Sequence, residues 1–301
     1  MNVLITGGLG HIGSYLIRML PEEFNITVVD NLLTHRYCSL FDLNRNIKFY
    51  DMSVSEFNNL ENIDTVIHLA AITDAASSFG NLDEIERINV TETQNFYDRC
   101  NNAGIKRFIF PSSTSVYGTA KDIVYEDDDD VLNPQSPYAK SKIDIERYMT
   151  DHPGSIDFLV LRFGTIFGDS IGMRFHTAIN KFCYQASVGK PLTIWKQNYD
   201  QVRPYLGLVD AISSIMHFLN MPDEFWNTQY NVLTGNYSLK TVIQKIEHII
   251  GNVELNMVDT PLLNQYSYHV SNEKIINTGW CSTDNLSMSI ERTLVKLRNL
   301  V

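Results

Sequence analysis

Thr6-Gly7-Gly8-Leu9-Gly10-His11-Ile12-Gly13 follows the apolar run Asn2 to Thr6 without a break and leads into a second apolar stretch. A strand that ends on glycines and then enters a helix is the context in which a three-glycine pattern carries information. Gly7 and Gly10 permit a tight turn that brings backbone N–H groups close to a pyrophosphate, and Gly13 lets the helix pack near the strand. The helix N-terminus adds partial positive charge at the same place. The segment therefore predicts a dinucleotide cradle at the first turn of a parallel α/β fold.

Working outward, short apolar runs alternate with longer periodic segments, as parallel βαβ units do. Asn2 to Thr6, Ile26 to Asp30, Ile47 to Tyr50, Thr65 to Ala70, Arg107 to Ser112 and Asp157 to Phe163 all read as strands. Ile85, Ile88 and Phe96 carry helical periodicity between them, and Pro134 and Pro137 mark turns. The expected fold is a Rossmann-type doubly wound parallel sheet. After Gly164 the rhythm changes, with helices expected at Met173 to Val188, from Asp210, at Ser238 to Ile250 and at Leu286 to Leu297. Residues 1–165 are expected to form the dinucleotide-binding part, with 203–235 returning to it; 166–202 and 236–301 are expected to form a smaller, discontinuous C-terminal lobe.

The second strand ends in Val28-Val29-Asp30, which places a carboxylate 17 residues beyond Gly13, close to the separation of about 20 seen for a ribose-binding acid. A carboxylate there accepts hydrogen bonds from the adenosine ribose and repels a 2′-phosphate, so NAD is expected over NADP. His35 and Arg36 follow in what reads as a surface loop. Asp51 and Met52 are placed for the adenine edge, and His68-Leu69-Ala70-Ala71 for the nicotinamide half, with His68 itself read as a packed strand residue.

Composition narrows the class. With 35 acidic and 24 basic residues the formal charge is −11, which argues against a phosphate-coating surface for DNA or RNA. Cys38, Cys100, Cys183 and Cys281 stand far apart, suggesting neither a zinc site nor a disulfide framework but reduced, cytoplasmic thiols. No metal is expected. The first residues lack the pattern of a signal peptide, and no apolar stretch reaches the roughly 20 residues that span a bilayer. The acidic run Glu126-Asp127-Asp128-Asp129-Asp130 reads as a solvated loop without chemistry.

Tyr138 and Lys142 are four apart in Ser136-Pro137-Tyr138-Ala139-Lys140-Ser141-Lys142, just after a proline-marked helix start, and so share one helix face. An ammonium beside a tyrosine hydroxyl stabilises the phenolate and brings its pKa from about 10 toward working pH. Tyr138 is thereby suited to act as a base. The spacing alone is common, but Pro111-Ser112-Ser113-Thr114-Ser115-Val116-Tyr117-Gly118 ends the fifth strand, where ligand crevices form. A serine there can hold the reacting oxygen.

These motifs together resemble the extended short-chain dehydrogenases/reductases of the NAD-dependent epimerase/dehydratase family, closest in layout to UDP-galactose 4-epimerase. The resemblance spans nearly the whole chain and rests on the glycine opening, Asp30-Asn31-Leu32, His68-Leu69-Ala70-Ala71, Ile88-Asn89-Val90, the Ser-Ser-x-x-Val-Tyr-Gly strand, Tyr-Ala-Lys-Ser-Lys and Leu161-Arg162-Phe163. It implies Ser113, Tyr138 and Lys142 as the catalytic set, Ser113 lying five residues before Gly118. It also implies His11, Ile12, Asn31, Thr73 and Asn89 at the cofactor, and Thr114, Thr165, Arg174, His176 and Arg203 at a nucleotide-diphosphate sugar, with Arg203 on the diphosphate. Many relatives pair helices into a four-helix dimer interface, so segments 84–103 and 136–150 are expected to make a homodimer.

The resemblance implies transient hydride removal from the sugar to bound NAD and its return, an epimerisation expected at C4. The 4,6-dehydratases of the family carry an Asp-Glu pair after the catalytic Thr, where this chain has Thr114 and Ser115, and the cysteine of the GDP-fucose synthase type is also missing. A nucleotide-sugar dehydrogenase or reductase using the same triad is the alternative, and a non-catalytic NAD-binding regulator a more distant one. Thr165 replaces the usual Asn and Pro204 the usual Asp. Phe175 is expected to pack in the core, and Trp195 to occupy the segment that contacts the base, so uridine, thymidine, cytidine and guanosine carriers all stay open.

Overall fold

The computed structural model describes residues 1–73, 77–118, 123–259 and 268–298. Its strands are β1 (Asn2–Thr6), β2 (Asn25–Asp30), β3 (Lys48–Asp51), β4 (Thr65–His68), β5 (Arg107–Ser113), β6 (Ile123–Val124), β7 (Asp157–Phe163), β8 (Thr165–Phe167), β9 (Leu192–Trp195), β10 (Val202–Gly207), β11 (Thr228–Val232), β12 (Gly235–Ser238), β13 (Leu255–Val258) and β14 (His269–Val270). The helices are α1 (His11–Met19), α2 (Leu82–Ile85), α3 (Thr93–Asn102), α4 (Pro137–Asp151), α5 (Ala178–Ser187), α6 (Leu208–Leu219), α7 (Leu239–Ile250), α8 (Glu273–Ile276) and α9 (Leu286–Leu297), with a π-helical stretch at Glu86–Glu92 joining α2 to α3.

Seven strands form one sheet in the order β11-β7-β5-β4-β1-β2-β3, and every neighbouring pair is parallel. Because parallel strands are covered on both faces, their side chains are apolar in both directions. Val3 and Ile5 of β1 join one buried cluster with Ile212, Ile215 and Phe218 of α6. Leu4, one residue between them, joins the opposite cluster with Phe96 and Tyr97 of α3 and Ile145 and Met149 of α4. This is the period-two alternation of a strand with a helical layer on each side. The strand order reverses at β1, between β4 and β2, and such a reversal opens a crevice beyond the carboxyl ends.

A second body lies past β7. Strands β12, β10 and β8 form a three-stranded sheet and β13 pairs with β9, while Phe182 of α5, Val242 and Ile246 of α7 and Ile290 and Leu294 of α9 share a separate buried cluster. The chain crosses between the two bodies more than once. β10 stays with the small sheet, α6 and β11 belong to the main one, and Ile275 and Trp280 pack into the main cluster.

Local chemistry explains the element starts. Ser136 caps α4 by accepting from the Ala139 N–H at 3.1 Å with Pro137 at the first helical position, Ser238 caps α7 through Thr241 N–H at 3.1 Å, and Asn285 caps α9 through Met288 N–H at 2.9 Å. The helix expected from Met173 begins only at Ala178. The Asn180 side chain donates to the Arg174 carbonyl at 3.1 Å, holding residues 174–177 out of helical register. Glu126 also departs from expectation. It is buried rather than solvated, accepting from the Asn231 backbone N–H at 2.9 Å and its side-chain amide at 3.3 Å, whereas Asp127, Asp128 and Asp130 are exposed. No helix among the described residues is long and apolar enough to cross a membrane.

Candidate active site

The glycine turn is built by necessity rather than preference. Gly7 has φ +63°, its N–H donates to the Val29 carbonyl at 2.8 Å, and its carbonyl accepts from Gly10 at 3.1 Å. A Cβ on Gly13 would stand 2.6 Å from the Gly8 backbone, so α1 packs on the turn at glycine distance. The Asp30 carboxylate at the end of β2 accepts from the Leu9 N–H and the Leu32 N–H, each at 2.9 Å, and so ties the second strand to the turn.

Above this turn lies a crevice of about 410 Å³. Gly7, Gly10, His11, Ile12 and Gly13 line it from the first turn, Asp30 and Asn31 from the second, Met52 from the third, and Leu69, Ala70, Ala71 and Thr73 from beyond β4. Asp51 and Asn89, expected in this set, do not line it. Asp51 is exposed on β3, the strand at the sheet edge. Asn89 is buried, its amide exchanging hydrogen bonds with the backbone of Ile72 at 2.8 and 2.9 Å, so it braces the crevice wall from behind. Ser53, Val54 and Arg36 line it in addition. His11 Nδ1 is 2.7 Å from Ser170 Oγ, while its buried Nε2 has no hydrogen-bond partner among the described residues. Burial, with Arg174, Arg36 and His176 nearby, pushes the His11 pKa down to about 3. A glycine-floored crevice with the Asp30 carboxylate at one end and an unsatisfied ring nitrogen in its wall suits a dinucleotide.

A second cavity of about 450 Å³ shares Ile12, Leu69, Ala71, Thr73, Arg174 and His176 with the first. Ser113, Tyr138 and Lys142 line it together, so β5 and α4 bring the expected catalytic set to one wall. Tyr138 faces Ser113 across this wall. Burial pushes the phenol pKa up, while the Arg174 charge and the nearby Ser113 hydroxyl act the other way. Lys142 Nζ donates to the Pro111 carbonyl at 2.8 Å and sits 4.4 Å from the Phe110 ring centre and 5.8 Å from that of Tyr138. Burial brings its pKa down to about 8, with Glu146 acting the other way. His68, as expected, is packed. Its ring nitrogens meet Thr6 at 2.9 Å and Thr93 at 3.2 Å, and burial, then Lys142, push its pKa down to about 3.

At the far end Thr165, Arg174, His176 and Arg203 line the cavity. Arg174 donates to Thr73 Oγ1 at 2.7 Å, and Arg203 lies 5.3 Å from the Tyr268 ring centre. Thr114 does not reach the cavity, because its hydroxyl turns back to the Phe163 carbonyl at 3.3 Å. Phe175 is 40% exposed and meets Tyr184 rather than the core. Lys181, Tyr268 and Ser115 were not anticipated. Lys181 could have been found from its place one turn into α5; Tyr268 follows no motif and offers no local signal. Trp195 does line the cavity. Among the described residues no carboxylate lines it, so an acidic protein presents a cationic pocket.

Residues 3–232 match the family model described as the NAD dependent epimerase/dehydratase family. A trifunctional UDP-glucose 4,6-dehydratase/UDP-4-keto-6-deoxy-D-glucose 3,5-epimerase/UDP-4-keto-L-rhamnose-reductase of Arabidopsis thaliana is 30% identical over 97% of this chain, which spans 46% of that longer protein. An uncharacterized UDP-glucose epimerase of Bacillus subtilis is 30% identical, with 83% of each chain covered. MoeE5, solved in complex with UDP-glucuronic acid and NAD, is 25% identical with a TM-score of 0.88 over 100% of both chains. The chain belongs to the NAD-dependent epimerase/dehydratase family.

Proposed function

We propose that this protein is a nucleotide-sugar 4-epimerase with NAD as its bound cofactor. The observation that carries the reading is the placement of Tyr138, beside Ser113 and one helical turn from the buried Lys142, in a cavity sharing a wall with the cofactor crevice. Gly7, Gly10, His11, Ile12 and Asp30 would hold the dinucleotide, with Asn31, Met52, Leu69, Ala70, Ala71 and Thr73 around it. When bound, NAD accepts a hydride from the sugar carbon and gives it back.

The chain's own residues handle the proton and the orientation. Ser113 holds the reacting hydroxyl, Tyr138 takes its proton as hydride leaves, and the Lys142 ammonium favours the phenolate. The 4-keto sugar would then turn over in the pocket, so that the hydride returns to the other face of C4 while Tyr138 gives the proton back to the C4 oxygen, an inversion with no net redox change. Arg203 holds the diphosphate, where a guanidinium fork suits paired oxygens, and Arg174, His176 and Thr165 line the sugar end. Positions 114 and 115 hold a threonine and a serine, which supply no carboxyl acid and base for water elimination. The UDP-sugar relatives and the UDP-glucuronic acid complex of MoeE5 support a uridine carrier.

In this reading residues 166–202 and 236–301 act as the substrate lobe over the dinucleotide-binding part, formed by 1–165 with 203–235 returning to it once β10, which pairs in the small sheet, has ended at Gly207. The protein works in the cytoplasm, in carbohydrate biosynthesis, as a homodimer joined through segments 84–103 and 136–150. Mass spectrometry of ligands released from purified protein, followed by incubation with UDP-glucose, UDP-glucuronic acid and other nucleotide sugars, tests the reading. Retained NAD and isomerisation without added cofactor support it; stoichiometric NADH build-up makes the protein a dehydrogenase.

A further inference from the structure

Behind the catalytic wall lies a chain of buried charges that the reaction as described does not use. Glu146, on α4 one turn past Lys142, is 7% exposed, and Arg162 on β7 is 3% exposed. Arg162 donates to the Glu146 carboxylate from Nε at 3.0 Å and from Nη2 at 2.6 Å. Its remaining Nη1 donates to the Tyr117 hydroxyl at 2.9 Å and to the Glu126 carbonyl at 3.1 Å. Tyr117 in turn donates to Asn231 at 2.6 Å. The guanidinium is therefore fixed from several sides, and it fixes the carboxylate.

The second hydrogen-bond donor to Glu146 is the hydroxyl of Ser112, the residue before Ser113. Side chains alternate along a strand, so anchoring Ser112 behind β5 turns Ser113 to the cavity. Tyr138, Lys142 and Glu146 repeat every four residues on one face of α4, and Lys142 and Glu146 reach the sheet at Pro111 and Ser112. The charged and titratable groups bearing on Lys142 are few. On its own helix they are Tyr138 and Glu146; from β4 there is His68, which burial keeps neutral. Arg174, ahead of α5, acts on Tyr138. Glu146 is thus the carboxylate that offsets the burial of the lysine.

We propose that Glu146 is a positioning residue for the Tyr138–Lys142 pair, its carboxylate locked by Arg162 and Ser112 so that a fixed negative charge keeps the buried ammonium in place. The inference rests on reading Tyr138 and Lys142 as the acid–base pair. Arg162 pairs with this carboxylate directly, while Lys142, one turn away on α4 and bonded to the Pro111 carbonyl, feels it through space, so the charge at Glu146 and Arg162 sets the protonation of the pair. Removing the carboxylate favours proton loss from the pair; removing the guanidinium favours proton retention.

The test is a titration of the Lys142 side chain by NMR in protein carrying ¹³C-labelled lysine, its signal assigned by loss in Lys142→Arg. Glu146→Gln should move the titration down by about one pH unit, the scale of a charge a helical turn away in a partly buried site. Arg162→Met should move it up. Both variants break the same ion pair, so a merely structural role would move neither, or both alike, and either result overturns the proposal. The charge-balanced double variant Glu146→Gln/Arg162→Met should return the titration close to that of the parent, and does so even if one single variant fails to fold; a double variant titrating like a folded single one overturns the proposal.

The bell-shaped pH profile of kcat/KM should shift in the same two directions. The titration needs neither substrate nor NAD, which separates the two claims. A moving Lys142 signal in a protein that isomerises no nucleotide sugar sinks the epimerase reading alone, while a static signal in an active epimerase sinks this inference alone.

Discussion

Gly7 and Ala70 approach so closely that a Cβ on Gly7 would stand 2.6 Å from the Ala70 backbone nitrogen. The two residues follow β1 and β4, the neighbouring strands whose ends frame the crevice. Gly7 also holds φ +63°, a conformation that costs a non-glycine residue about 1–2 kcal/mol before any clash. Gly7→Ala should therefore push the two strand ends apart, lower the melting temperature and abolish NAD retention. Thermal unfolding with and without NAD checks this; a variant still stabilised by NAD would contradict it.

Tyr138→Phe keeps the ring and removes the hydroxyl beside Ser113. Turnover should fall by about 10²–10⁴-fold, the usual contribution of a positioned acid–base group, with NAD content unchanged. Quantifying released NAD beside kcat distinguishes lost chemistry from lost cofactor.

His11 and His68 both have pKa values pushed down to about 3 by burial. The unfolded chain binds these protons near the ordinary histidine value, so the stability that comes from keeping the rings neutral is present above about pH 6.5 and is lost as pH falls toward 3. Each ring should cost roughly 2 kcal/mol of unfolding free energy between pH 7 and pH 5. Urea denaturation at the two pH values measures the loss, and His68→Gln should reduce it by about half.

Asp210 is fully buried and accepts from the N–H groups of Thr283 at 2.8 Å and Asp284 at 2.9 Å and from the hydroxyls of Thr234 and Ser282, both at 2.5 Å. It pins α6 to the segment before α9. Asp210→Ala strands these donors and should destabilise the protein by about 2–4 kcal/mol, read from urea midpoints, while the folded fraction keeps its KM.

Much of this was legible where the physics is local. Asn2–Thr6 and Asp157–Phe163 are apolar runs with clear boundaries and form strands with those limits; Ser113, Tyr138 and Lys142 sit in motifs whose spacing already aims them at one place. What escaped depends on distant partners. Nothing near Glu126 announces the Asn231 backbone that buries it, 105 residues away. Asn89 looks like a cofactor ligand until Ile72 is seen to consume its amide. The stretch 173–177 carries helical periodicity, but Gly172 is wedged so tightly against the glycine turn that a Cβ would stand 2.6 Å from the Leu9 carbonyl, and that contact sets the path of the chain.

The central claim, that hydride leaves and returns within one site, is tested most directly by incubating purified protein, without added cofactor, with a UDP-hexose tritiated at C4. The account predicts inversion at C4 with the label retained in the product sugar and no accumulation of NADH. Label trapped as tritiated NADH beside a 4-keto product, or lost to water, would contradict it.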